Sequence, residues 1–133
     1  MEIKNYKIEL EKSVLDESVW IKHSLVSNWK EIWYHVAEIT YKVNPHVHMK
    51  WDEIYHILEW EWEIEYWKVE IKDWKAFLFK SNIKKVFKWD IFNIEEWYSH
   101  SLKRLWKNKL IIWFICPHTH LTTDRILIED NNT

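Results

Sequence analysis

A chain built from many short strands must reverse direction tightly. Glycine does this at the least steric cost, and it is absent from all 133 positions of this sequence. An average usage of about 7% would supply roughly nine. In its place the chain carries 12 tryptophans. Several sit in polar punctuation between apolar runs: Asn28-Trp29-Lys30, Lys50-Trp51-Asp52, Asp73-Trp74-Lys75, Lys88-Trp89-Asp90 and Leu105-Trp106-Lys107-Asn108. With glycine for tryptophan, the first and third would read Asn-Gly and Asp-Gly, which are strong hairpin signals. A recognition platform of indoles would instead recur every second residue along a strand face, or at helical spacing.

Energetics agree with the placement. Left-handed backbone at a non-glycine residue costs roughly 1 to 2 kcal/mol, against a domain stability of about 5 to 15 kcal/mol. Indoles at turns also leave apolar surface exposed. The expectation is that these positions are glycine in the natural protein. A UGA codon read as tryptophan, where the host assigns it to glycine, would produce the pattern. Richness in Lys, Ile and Asn with only two Arg fits an AT-rich gene. A deliberate substitution would produce it equally.

The remaining composition excludes partners more than it selects them. A net charge of -2 argues against nucleic acid or an anionic membrane as the main partner. The longest apolar run, Leu110 to Cys116, is far short of the ~20 residues of a spanning helix. Met1 to Glu11 has no signal-peptide core. Cys116 is the sole cysteine, so no intrachain disulfide forms, and a cytoplasmic location is expected. Within its apolar run it reads as a small buried hydrophobe.

Period-2 alternation with β-branched and aromatic residues dominates. It predicts strands at Tyr6–Glu11, Val19–Leu25, Ile32–Tyr41, Glu53–Glu59, Glu63–Lys72, Ala76–Phe79, Lys85–Phe87, Ile91–Ile94, His100–Leu105, Lys109–Cys116 and Arg125–Glu129. Short helices are allowed only in the first twenty residues and near Ser81 to Lys84. No linker or repeat divides residues 1–133, so one all-β domain, a sandwich or barrel, is expected.

One stretch carries chemistry: Pro45-His46-Val47-His48-Met49-Lys50-Trp51-Asp52-Glu53. Two residues apart on an extended segment, His46 and His48 project to one side. Glu53 follows a turn and opens the next strand, where a hairpin can return its carboxylate to the same pole. Such a set suits a divalent transition metal: Mn, Fe, Ni, Zn or Co.

These residues resemble the cupin superfamily. Its first motif is His-x-His, a Glu three or four residues on, and a Gly after six more; His46, His48, Glu53 and Trp60 keep that spacing. In the second motif, Trp89, Glu95, Trp97, His100 and Arg104 occupy the positions of Gly, Pro, Gly, His and Asn. All three motif glycines, at 60, 89 and 97, are tryptophan. The resemblance covers about residues 32–116. It implies a double-stranded β-helix (jelly-roll) barrel with metal ligands His46, His48, Glu53 and His100, and terminal extensions packed on the barrel or on the partner of a homodimer.

Such small cupins include sugar-phosphate isomerases, dioxygenases, decarboxylases and non-catalytic binding domains, so the fold does not choose the reaction. Arg104 shares a strand face with His100 and would aim its planar fork of donors at a carboxylate or phosphate. Tyr55 and Glu95 are the candidates for proton transfer, and Tyr55 also for lining the pocket. The expectation is a metal-dependent enzyme for a small anionic molecule, a mannose-6-phosphate isomerase-like or dioxygenase type. The alternative is a ligand-binding or sensing cupin. A tryptophan module that stacks on sugars or single-stranded nucleic acid is disfavoured by turn placement and balanced charge. His118-Thr119-His120 echoes the first motif without its carboxylate and reads as a C-terminal loop. His56 reads as structural, and His23 and His35 have no evident partner.

Overall fold

The computed structural model describes residues 1–72, 75–78, 82–104 and 108–128. The expected turns at Asp73-Trp74 and Leu105-Trp106-Lys107, and the ends of two expected elements at Phe79 and Ser81, lie outside the described residues.

Helix α1 (Tyr6–Glu11) opens the chain, where a strand was expected. The Asn5 side chain caps it, accepting from the Lys7 N–H at 3.0 Å. Tyr6 and Leu10, four apart and thus on one helical face, pack against buried Val26, Val36 and Ile111. Alternation over six residues did not separate this from a strand.

The strands that follow are β1 (Val14–Asp16), β2 (Ile21–Trp29), β3 (Ile32–Ile39), β4 (His46–Val47), β5 (Glu53–Glu59) and β6 (Trp62–Lys72). Then come β7 (Lys75–Leu78), β8 (Asn82–Val86), β9 (Ile91–Ile94), β10 (Tyr98–Arg104), β11 (Leu110–Pro117) and β12 (Ile126–Leu127). Where a short helix was allowed near Ser81 to Lys84, β8 instead pairs antiparallel with β6, from Trp62↔Val86 to Tyr66↔Asn82.

Two sheets result. One runs β1-β2-β3-β11-β5-β9 and the other β12-β4-β10-β6-β7, with β8 also on β6. Late strand β11 lies between early strands β3 and β5, so the chain interleaves rather than meanders. The core between the sheets includes Ile39, Val43, Ile57, Leu102, Ile112 and Phe114. No helix among the described residues is long and apolar enough to cross a membrane.

The tryptophans divide into two groups. Six described residues have positive φ, and five are tryptophan: Trp20 at 62°, Trp51 at 66°, Trp60 at 74°, Trp89 at 80° and Trp97 at 66°. The sixth is Lys30 at 53°. In the β2–β3 hairpin Trp29 pairs with Ile32, so the two-residue loop is Lys30-Glu31. Left-handed geometry therefore falls on Lys30, not on Trp29 as the Asn-Trp signal implied.

By contrast, Trp33, Trp62, Trp67 and Trp113 lie within strands. Trp62 is wholly buried, and its indole N–H donates to the Asn108 carbonyl at 3.2 Å. Trp51 and Trp89, read as turns, and Trp60 and Trp97, read at motif glycine positions, hold the left-handed geometry expected. Trp20 holds it too, although alternation put it in a strand, and Trp33, Trp67 and Trp113 lie in strands as the alternation predicted.

Candidate metal centre

Three elements and one loop bring the site together. Short strand β4 places His46 directly opposite His100 of β10. Its edge is closed by β12, which pairs Ile126 with Val47. Glu53 is the first residue of β5, opposite Ile94 of β9, and His48 follows β4 by one residue. The four side chains are almost fully removed from solvent, with exposures of 0% to 4%. One donor atom from each lies within 4.8 Å of the others.

Backbone carbonyls orient the rings. His46 Nδ1 lies 2.8 Å from the Asn44 carbonyl, His48 Nδ1 lies 2.6 Å from that of Asp124, and His100 Nδ1 lies 3.4 Å from that of Tyr98. A carbonyl accepts only, so each Nδ1 carries the proton and each Nε2 is left with its lone pair. His48 Nε2 is 3.1 Å, and His100 Nε2 3.4 Å, from Glu53 Oε2. None of these three atoms has a hydrogen bond of adequate geometry. Buried polar atoms seldom go without partners, and lone pairs facing one point are what a cation satisfies. Three imidazoles and a carboxylate could hold Mn, Fe, Co, Ni or Zn.

Electrostatics fit the same arrangement at Glu53 and His46, while at His48 a proton competes for the carboxylate. Burial alone would raise the Glu53 carboxyl, but His48 and His100 outweigh it and hold the group well below the usual carboxylate range. Burial, with His100 and His48 beside it, pushes His46 well down, which keeps it a neutral ligand. For His48, burial opposes protonation, yet the Glu53 carboxylate prevails and raises its pKa.

A C-terminal strap braces His48. The Asp124 carboxylate accepts the N–H groups of Met49 at 2.7 Å and Lys50 at 2.9 Å. Arg125 anchors the strap to the N-terminal region through Asp16 and Ser18, each at 2.8 Å. His118–Leu121 is a 3-10 turn rather than the loop expected. Its His120 is fully buried, donates Nε2–H to the Lys50 carbonyl at 2.6 Å, and stacks on His48. No local signal reveals this brace, because its partners are 70 and 76 residues apart.

The other expected residues distribute as follows. Tyr55 is buried, its ring edge-on to His100 with centroids 5.8 Å apart, and burial pushes its phenol well above the ordinary value. Arg104 ends β10, but its side chain lies outside the described residues. Glu95 is exposed on the wall of a cavity of about 430 Å³ that also touches Tyr66, Lys84, Asn93, Ile94 and Tyr98. That cavity adjoins the site by register, since Tyr66 faces His100 and Ile94 faces Glu53. Lys84, Tyr66 and Tyr98 were not singled out in the sequence, where nothing local marks them. His56 pairs with Ile91 and Trp113 away from the site. Unpartnered in the sequence reading, His23 and His35 pair with each other, Nδ1 to Nδ1 at 3.1 Å.

No family model matches the chain, and no curated protein matches it. Solved structures do. A cupin-2 domain protein from Shewanella frigidimarina superposes with TM-score 0.61 at 13% identity, covering 86% of this chain and 94% of that one. A conserved Klebsiella pneumoniae protein with a double-stranded β-helix domain gives TM-score 0.66 at 13% identity, covering 98% and 99%. Oxalate decarboxylase of Bacillus subtilis, studied for its Mn(II) centres, gives 0.60 at 13%, covering 90% of this chain and 31% of that one. At these identities the likeness concerns fold: the chain is a double-stranded β-helix of the cupin type, as the motif spacing implied.

Proposed function

We propose that this protein is a metal-dependent enzyme holding one divalent transition metal on His46, His48, Glu53 and His100 and acting on a small anionic substrate, such as a sugar phosphate or keto acid. The observation that carries the reading is the convergence of unpartnered His48 Nε2, His100 Nε2 and Glu53 Oε2 in a buried site. Such an ion supplies Lewis acidity toward a carbonyl or enediolate oxygen.

The chain's own residues do the rest. The cavity of about 430 Å³ is of a size for a small molecule. On its wall, Lys84 sits with its ammonium 5.9 Å from the Tyr66 ring and offers a point charge to a carboxylate or phosphate. Arg104 belongs to the neighbouring strand and is the second candidate anchor. Glu95, exposed on the same wall, is the candidate proton-transfer group, whereas Tyr55, buried and strongly resistant to ionisation, serves better as an oriented wall. Isomerase and dioxygenase chemistry both suit this arrangement. The near-complete burial of all four ligands favours the alternative of a ligand-binding or sensing cupin, because it restricts approach to the metal.

Elemental analysis of protein purified without a His-tag, followed by thermal shift against sugar phosphates and keto acids, tests the reading. Bound transition metal, with a stabilising anion whose effect falls in Lys84→Ala, is the expected outcome. Metal-free protein indifferent to every anion after metal addition would overturn it.

A further inference from the structure

Beyond the four converging ligands, a second set of donors meets at Glu53. Cys116 Sγ, a donor nitrogen of His120 and a Glu53 oxygen lie within 4.8 Å of one another, and all three residues are buried. Because His120 Nε2–H is committed to the Lys50 carbonyl at 2.6 Å, its Nδ1 carries the lone pair. That Nδ1 is buried without a partner, as is Glu53 Oε2. Cys116 is a free thiol at 1% exposure.

The rings of the two sets are in contact. His48 and His120 lie with centroids 3.9 Å apart and planes 3° from parallel. His48 turns its bare Nε2 toward the Glu53 carboxylate at 3.1 Å, and a nitrogen of His120 lies within 4.8 Å of a Glu53 oxygen. Thiolate and imidazole select a softer ion than an all-nitrogen-and-oxygen set does.

We infer that Glu53, Cys116 and His120 form a second metal site for a thiophilic divalent ion such as Zn or Co, sharing the Glu53 carboxylate with the first. Binding there converts the Cys116 thiol to a metal-bound thiolate and releases its proton to solvent, with no change of oxidation state. This assignment builds on the first site but has its own signature, because no sulfur belongs to the first ligand set.

The test is titration of chelator-treated protein with Co²⁺, read by absorbance. Saturation at two ions per chain is expected, with a near-ultraviolet sulfur-to-metal charge-transfer band growing with one of them. The band should vanish in Cys116→Ser and be lost or greatly weakened in His120→Asn, while the visible d–d bands of the other ion persist and report a folded barrel. Saturation at one ion without a sulfur band would overturn the second site alone, as would a sulfur band that survives Cys116→Ser. A sulfur band with no sulfur-free equivalent would count against the first site alone.

Discussion

His46 and His100 face each other across the β4–β10 ladder, their ring centroids 4.2 Å apart. A cross-strand pair in register holds its side chains on one face, so the ladder itself brings two of the four ligands together. Binding to the folded state alone makes metal a stabiliser, by about 2.7 kcal/mol at a hundredfold excess over Kd. Chelation should therefore lower the melting temperature of wild-type protein by clearly more than that of His100→Ala, which lacks one ligand of the first site. Differential scanning calorimetry with and without chelator checks this.

Asp124 should behave as a positioning residue. Its carboxylate takes two backbone N–H groups and its carbonyl holds His48 Nδ1. Replacing it with Ala removes two charge-assisted hydrogen bonds, each worth about 1.5 to 3 kcal/mol. Metal affinity should fall by roughly 10- to 100-fold, as for other groups that orient a ligand from behind. Urea unfolding of the metal-free protein and calorimetric metal titration separate the two effects.

His35 gives the pH dependence a direction. Burial, then His23 beside it, lowers its pKa from the ordinary 6.5 to about 4. Two Nδ1 atoms at 3.1 Å also require that one lack a proton. Between these values the unfolded chain binds a proton that the folded chain does not. Stability is thus fully present above pH 6.5 and declines as pH falls toward 4, by about 3 kcal/mol in total. In chelator, His35→Gln should show a shallower decline in urea midpoint over that window; an equal slope would refute the assignment.

The two groups of tryptophan should respond oppositely to glycine. Trp51, Trp60 and Trp89 hold positive φ and are at least half exposed, so each Trp→Gly change should stabilise by about 1 kcal/mol. Trp62→Gly should instead cost at least about 3 to 5 kcal/mol, because it empties a wholly buried site. Guanidinium unfolding of the four variants measures both signs. If the first group is glycine in nature, protein from the native host will have an intact mass lower than the printed sequence requires.

What the sequence disclosed, and what it hid, follows from the range of the interactions. His46, His48, Glu53 and His100 were legible because spacing along two strands encodes their convergence. Trp51, Trp60, Trp89 and Trp97 were legible because a turn imposes φ locally, whatever the side chain. The strap was not: Asp124, Arg125 and His120 reach residues tens of positions away, and nothing near them in sequence marks the contact. Helix α1, where both a strand and a short helix had been open, and the start of strand β8 were not settled for a related reason. Their type was decided by the faces they pack on, Val26 and Val36 for one and β6 for the other, rather than by their own short patterns. Trp62 shows the limit of reading residue type alone, since nothing in the sequence marked this indole as core.

The central claim is that His46, His48, Glu53 and His100 bind one divalent metal. Mn²⁺ titration of chelator-treated protein, followed by electron paramagnetic resonance, tests it most directly, because Mn²⁺ disfavours the sulfur of Cys116. The account predicts one bound Mn²⁺ per wild-type chain and none in folded His46→Ala or His100→Ala. Equal Mn²⁺ binding by wild type and both variants would contradict it.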